Sequence, residues 1–185
     1  MTIRTPSQTV GPFFHDALRY EAGHELVPEG CEGSFVLSGR VLDGNADPVP
    51  DALVEIWQAG PDGSFSRAPG ILQVAESFRG FGRSDTDADG RYWFRTVKPG
   101  PVPTVDGRPQ APHIAMSVFA RGMLRRVVTR VYVPDEAEAN GADPLLSELG
   151  EPRRATLVAL PRDDGDLVFD VRLQGDQETV FLDVF

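Results

Sequence analysis

A chain of 185 residues with 41% hydrophobic content is long enough to bury one core and too short to require two, so residues 1–185 are expected to form one domain. The formal net charge of −10 opposes the counterion release that drives nucleic-acid binding, and it disfavours anionic membrane surfaces, which argues against both as partners. Cys31 is the only cysteine, which excludes an intramolecular disulfide and a thiolate-rich metal cluster; with no run of eighteen apolar residues and no secretory leader in the first residues, a cytoplasmic location is expected.

Residues 1–33 read as an arm and a loop. Thr5 to His15 combine two prolines, a glycine and three small hydroxyl residues, which predicts an extended arm without regular helix. Phe13 and Phe14 are poor residues for a solvated tail, so the arm is expected to dock on its own domain or on another subunit. His15 and His24 have no nearby partners in sequence and read as surface histidines. Residues 16 to 33 are acidic, contain glycines and have no clear period, which reads as a loop holding a short helical turn.

Strand signals then follow in order. Phe35, Leu37 and Val41 alternate with Val36, Ser38 and Arg40, and the polar turn Asp43 to Pro48 leads to a second strand over Ala52 to Gln58. Tyr92 and Phe94, then Val127, Thr129 and Val131, and finally Leu167, Phe169, Val171 and Leu173 show the same alternation. Nineteen glycines and sixteen prolines spread along the chain keep these segments short, and no amphipathic helical pattern persists. The expected fold class is all-β: an antiparallel two-sheet β-sandwich with an extended N-terminal arm and short helices at its rim, over Asp135 to Asn140 and Pro144 to Leu149.

The central stretch carries the chemistry. If His113 to Arg121 is one strand, the period of two sets His113, Ala115, Ser117, Phe119 and Arg121 on one face and Ile114, Met116 and Val118 on the apolar other. One imidazole with an alanine two residues on does not hold a catalytic metal, and the strand tyrosines Tyr92 and Tyr132 lie in separate segments, so His113 reads as a structural, hydrogen-bonded histidine. Arg121, Arg125, Arg126 and Arg130 concentrate positive charge in an acidic chain, able to attract an anionic substrate or to be plain solvated charge. Asp85 to Gly90 matches half of a calcium loop, but Thr96 stands where a bidentate glutamate is needed, so it reads as a β-turn. No nucleophile elbow, phosphate loop or nucleotide fingerprint is present.

Several longer segments, in order, carry a family resemblance: Thr5-Pro6-Ser7-Gln8-Thr9-Val10-Gly11-Pro12, Val54-Glu55-Ile56-Trp57-Gln58-Ala59, Thr96-Val97-Lys98-Pro99-Gly100, Ala111-Pro112-His113-Ile114, Phe119-Ala120-Arg121-Gly122 and Glu178-Thr179-Val180-Phe181. Through them the chain resembles the intradiol ring-cleaving dioxygenases, and among these the alpha chains that pair with an iron-bearing beta chain. The resemblance implies that two tyrosines and two histidines hold iron(III) in the beta chain. Here Phe65, Val102, His113 and Ala115 occupy the matching positions, so only His113 keeps a donor and this chain is expected to bind no metal. The resemblance further implies that Thr9, Gly11 and Pro12 line a substrate cavity shared with the beta chain, that Arg121 stands near its mouth, and that the substrates are a dihydroxybenzoate anion and dioxygen. A rival of another class is a non-enzymatic transthyretin-like binding module, which Gly39 to Gly44 and Pro48 to Glu55 also suit. A self-sufficient iron enzyme is disfavoured by Phe65, Val102 and Ala115.

Overall fold

The computed structural model describes residues 5–11, 13–65, 78–103 and 107–183, apart from the side chains of His15 and Asp16. In chain order the elements are α1 (Phe14–Ala17), β1 (Ser34–Leu42), β2 (Leu53–Trp57), β3 (Phe81–Asp85), β4 (Arg91–Val97), β5 (Val102–Pro103), β6 (Pro109–Gln110), β7 (His113–Phe119) and β8 (Val127–Tyr132). Three short helices follow, α2 (Ala137–Ala142), α3 (Pro144–Ser147) and α4 (Glu151–Ala155), and then β9 (Leu160–Pro161), β10 (Leu167–Val168) and β11 (Val171–Arg172).

Two sheets hold the core. In one, β1 is flanked by antiparallel β4 on one edge and by β10 and β11 on the other, with β9 outside β10; in the other the order is β3-β2-β7-β8, antiparallel throughout. The inward residues of both sheets, among them Leu37, Val54, Ile56, Phe94, Met116 and Val131, are at most 1% exposed. This is the β-sandwich that the alternating patterns predict, because each strand buries one face only and two such faces must meet.

Four details depart from the sequence reading. The strands on either side of the Asp43–Pro48 turn do not pair with each other: Pro48 bridges back to Leu42 and the chain then crosses, so that β1 and β2 lie in different sheets. The alternating stretch Leu167 to Leu173 is two short strands, both parallel to β1, a pairing that no local turn chemistry could announce. The arm ends in one helical turn from Phe14, whose side chain is buried while Phe13 stays 76% exposed. The acidic loop after it inserts Leu26 and Val27 into the interior, held by Leu26 N donating to the Arg95 carbonyl and by Arg79 Nε donating to the Glu25 carbonyl.

The break between β10 and β11 has a visible cause. The hydroxyl of buried Tyr92 donates to the Phe169 carbonyl at 2.5 Å, drawing that carbonyl across the middle of β1. At that crossing β1 has Gly39, where an added Cβ would stand 1.8 Å from the Phe169 oxygen. Only glycine permits this approach. Gly39→Ala should therefore cost about 3 kcal/mol or more in urea unfolding. Gly141→Ala, in a helix with open space around the new methyl, is the control and should gain about 0.5–1 kcal/mol.

Candidate functional site

The residues of interest lie on the outer face of the four-stranded sheet, and the pairing of β2 with β7 orders them. Trp57 stands opposite Ala115, Glu55 opposite Ser117 and Leu53 opposite Phe119; β8 adds Tyr132 beside His113 and Arg130 beside Ala115. The alternation along β7 is as expected, with Ile114, Met116 and Val118 buried and His113, Ala115, Ser117 and Phe119 on the partly open side. Carried two residues past Leu53 and Phe119, the same register sets Asp51 opposite Arg121. His113 opens β7 and Arg121 lies in the turn two residues past its end, so the two stand at opposite ends of the face, with about 20 Å of strand from His113 to Phe119.

At the first end, the loop that follows β2 and carries Phe65 folds onto the segment leading into β5, through Gly100 N donating to the Gly60 carbonyl at 2.9 Å. Val102 opens β5 and is buried, whereas the Phe65 ring is 54% exposed. The His113 ring faces Tyr132 at 5.6 Å between centroids, and its Nδ1 lies 2.8 Å from the Ala111 carbonyl, which can only accept, so the proton sits on Nδ1. Burial, then the nearby Arg130 guanidinium, lowers the imidazole pKa to about 4. The Tyr132 hydroxyl accepts from Arg130 Nη1 at 3.3 Å and donates to Asp143 Oδ1 at 3.0 Å. Asp143 is fully buried, accepts from the backbone N–H groups of Leu145 and Leu146 as the cap of α3, and takes the Ala111 N–H on Oδ2.

This donor set does not fit a ferric ion. Phenylalanine, valine and alanine at 65, 102 and 115 offer no donor atom, and the cationic Arg130 stands directly across from Ala115. Among the described residues there is no group of three or more histidine, cysteine or acidic side chains able to hold a metal. The separate segments assigned to His113 and Tyr132 in sequence are neighbours in space, and that pairing is invisible without the β7–β8 register.

At the other end the arm meets the turn after β7. Gly122 N donates to Thr9 Oγ1 at 2.9 Å, joining residues 113 positions apart, and the same oxygen lies 3.5 Å from Gly11 N. Gly11 has φ +79°, a left-handed conformation that glycine adopts without strain and that turns the arm away after Val10. Pro12 lies outside the described residues. Arg121 Nε lies 2.8 Å from Asp51 Oδ2; the arginine side chain is 63% exposed and the carboxylate only 13%. Thr9, Gly11 and Arg121 thus gather around one turn, together with Asp51, which sequence reasoning passed over because only the strand register sets it there.

The four arginines do not form one patch. Arg121 pairs with Asp51, Arg125 and Arg126 border a groove with Val127, Val128 and Phe181, and Arg130 turns to Tyr132. His24, expected at the surface without partners, makes a tilted ring contact with Trp93 at 3.9 Å between centroids, and burial lowers its pKa. The Asp85–Gly90 segment is the turn expected of it: Asp87 Oδ1 accepts from the backbone N–H groups of Asp89 and Arg91.

A histidine whose pKa is depressed in the fold stays neutral there while the unfolded chain takes up a proton, so its contribution to stability is full near neutral pH and is lost as pH falls from about 6.5 toward about 4. The His113 imidazole resonances should remain those of the neutral ring at pH 5 and titrate with a midpoint about 4. Between pH 7 and pH 5 this ring should account for about 2 kcal/mol of lost stability. An NMR midpoint between 6 and 7 would mean a solvated ring.

Comparison with known proteins agrees with the fold and extends it. The family model described as Dioxygenase matches residues 9–175. The chain is 40% identical to a protocatechuate 3,4-dioxygenase alpha chain from Pseudomonas putida, over 97% of this chain and 96% of that one. It is 43% identical to the protein of the same name from Burkholderia cepacia, over 98% of both. Among solved structures, the dioxygenase domain of a dioxygenase and carbohydrate-binding protein fusion from Streptomyces sp. SirexAA-E superposes with a TM-score of 0.58 and 25% identity, covering 92% of this chain and 98% of that one. Similarity along nearly the whole chain, on a sandwich of the same kind, makes this protein a member of the intradiol dioxygenase family.

Proposed function

We propose that the chain is the non-metal alpha subunit of a protocatechuate 3,4-dioxygenase, working in the cytoplasm with an iron-bearing beta chain. The enzyme inserts both atoms of dioxygen between the hydroxyl-bearing carbons of 3,4-dihydroxybenzoate to give 3-carboxy-cis,cis-muconate. The relatives 40% and 43% identical to it, matched over 97–98% of its length, bear the alpha-chain name.

One observation carries the division of labour. His113 and Ala115, two of the positions that match the family's metal ligands, lie at the end of β7 away from the turn that gathers Thr9 and Arg121, with about 20 Å of strand between His113 and Phe119. They cannot serve one reaction centre within this chain. The arm and the Arg121 turn are then free to form a wall of a site whose iron belongs to another subunit. The exposed Val10 and Phe13 of the arm and Leu124 of the adjoining turn supply apolar surface for that contact.

Within the wall, Thr9 and Gly11 shape the cavity, and Arg121 attracts and orients the carboxylate of the incoming acid. A half-exposed guanidinium at a cavity mouth raises the local concentration of an anion and fixes its approach by a charge-assisted hydrogen bond. Its chemistry is orientation and charge; proton and oxygen steps belong to the beta chain.

Expressed alone, the chain should purify without stoichiometric iron, colourless and inactive; expressed with a beta chain it should co-purify, with the iron following the partner. Metal analysis and visible absorption of both preparations are the test, and a coloured, active preparation from the alpha chain alone would overturn the proposal. In the assembled enzyme, Arg121→Ala should lower kcat/KM for protocatechuate by about 1–2 kcal/mol, roughly 5- to 30-fold. Catechol, lacking the carboxylate, should lose less, and the difference should shrink as salt rises. Equal losses on both substrates would leave Arg121 a scaffold residue.

A further inference from the structure

Arg121 does not approach the cavity as a free side chain. We propose that Asp51 is the residue that positions it, holding the Nε side of the guanidinium so that the far end of the fork is presented to an aromatic carboxylate; this rests on the role proposed above for Arg121.

Three observations carry the assignment. First, the pairing is built into the sheet: the β2–β7 register, continued two residues beyond Leu53 opposite Phe119, sets position 51 against position 121. Second, Asp51 rides on a rigid turn. Buried Thr86 ties that turn from both sides, its hydroxyl donating to the Val49 carbonyl at 2.7 Å and accepting from Ala52 N at 2.9 Å, while Thr86 N donates to the Ala52 carbonyl at 3.0 Å. Third, the pair is asymmetric. The Asp51 carboxylate is 13% exposed and the Arg121 side chain 63%, with Nε 2.8 Å from Oδ2. The negative partner is turned inward and the positive one faces out, so the pair presents positive charge despite its zero sum.

The turn that bears Arg121 is itself pinned on its other side, where Gly122 N donates to Thr9 Oγ1 at 2.9 Å. Asp51 and Thr9 thus clamp two adjacent residues. An unclamped arginine side chain on an exposed turn samples many rotamers and must give up that freedom when the acid arrives. Held in advance, it does not, and the gain appears in the binding of anionic substrates.

The test is steady-state kinetics on the assembled enzyme with protocatechuate and with catechol, comparing Asp51→Ala, Asp51→Asn, Arg121→Ala and the Asp51→Ala/Arg121→Ala double variant. Asp51→Ala should lower kcat/KM for protocatechuate about fivefold, mainly through KM, with a smaller loss for catechol. Asp51→Asn keeps an oxygen beside Nε and should fall between Asp51→Ala and the parent. In the Arg121→Ala background the Asp51 substitution should add nothing for protocatechuate, because a positioning residue acts only through the group it positions. Equal losses on the two substrates, or an undiminished effect of Asp51→Ala in the Arg121→Ala background, would overturn the proposal. If Asp51→Ala fails to assemble, Asp51→Asn decides: a shift of about twofold in the protocatechuate-to-catechol ratio supports positioning and an unchanged ratio overturns it. Arg121→Ala separates the two ideas. If it discriminates between the substrates while the Asp51 variants do not, only the positioning role fails; if it does not discriminate, the carboxylate-orienting role of Arg121 fails with it.

Discussion

The pairing of β2 with β7 is the constraint on which the rest of the functional face depends. It is an antiparallel ladder of five residue pairs between central strands of the same sheet. A slip of β7 by one residue would turn Ile114, Met116 and Val118 out of the core and His113 and Ser117 into it, so burial of the apolar face enforces a single register. That register sets Trp57 against Ala115 at one end, and its continuation sets Asp51 against Arg121 at the other. A chain stabilised by ordinary core packing thereby acquires a face of defined length with a different chemistry at each end.

The His113 end gathers its buried polar groups into one network. Buried polar groups need partners, and here they find them in one another. Asp143, without solvent exposure, accepts from Tyr132, from Ala111 and from two backbone amides of α3. His113 donates from Nδ1 to the Ala111 carbonyl, and Arg130 donates to the Tyr132 hydroxyl. Oriented donors here converge on a carboxylate that is also a helix cap, and their work is to tie the rim helices to the sheet. Such a network favours one arrangement of the rim because each member loses a partner if any other moves.

The Arg121 end is assembled from three segments that are remote in sequence. Thr9 comes from the arm, Asp51 from the turn before β2 and Arg121 from the turn after β7. The Asp51 carboxylate is largely covered while Thr9 and Arg121 stay exposed, and the exposed Val10, Phe13 and Leu124 lie in the same arm and turn. A surface with a clamped charge and apolar neighbours suits contact with a second subunit, where the apolar residues lose water and the charge, partly desolvated, gains strength.

The alternation of apolar residues determined from sequence alone that the chain is a β-sandwich and which face of β7 is buried, because a period of two is a local property of each strand. The longer motifs carried the family. Only the tertiary structure decided which strands adjoin. The parallel pairing of β10 and β11 with β1, the meeting of His113 with Tyr132, the capping role of Asp143 and the pairing of Asp51 with Arg121 all depend on contacts between residues tens of positions apart. Nothing in the local composition of those segments distinguishes one partner from another, since the choice is made by packing and register across the whole sheet.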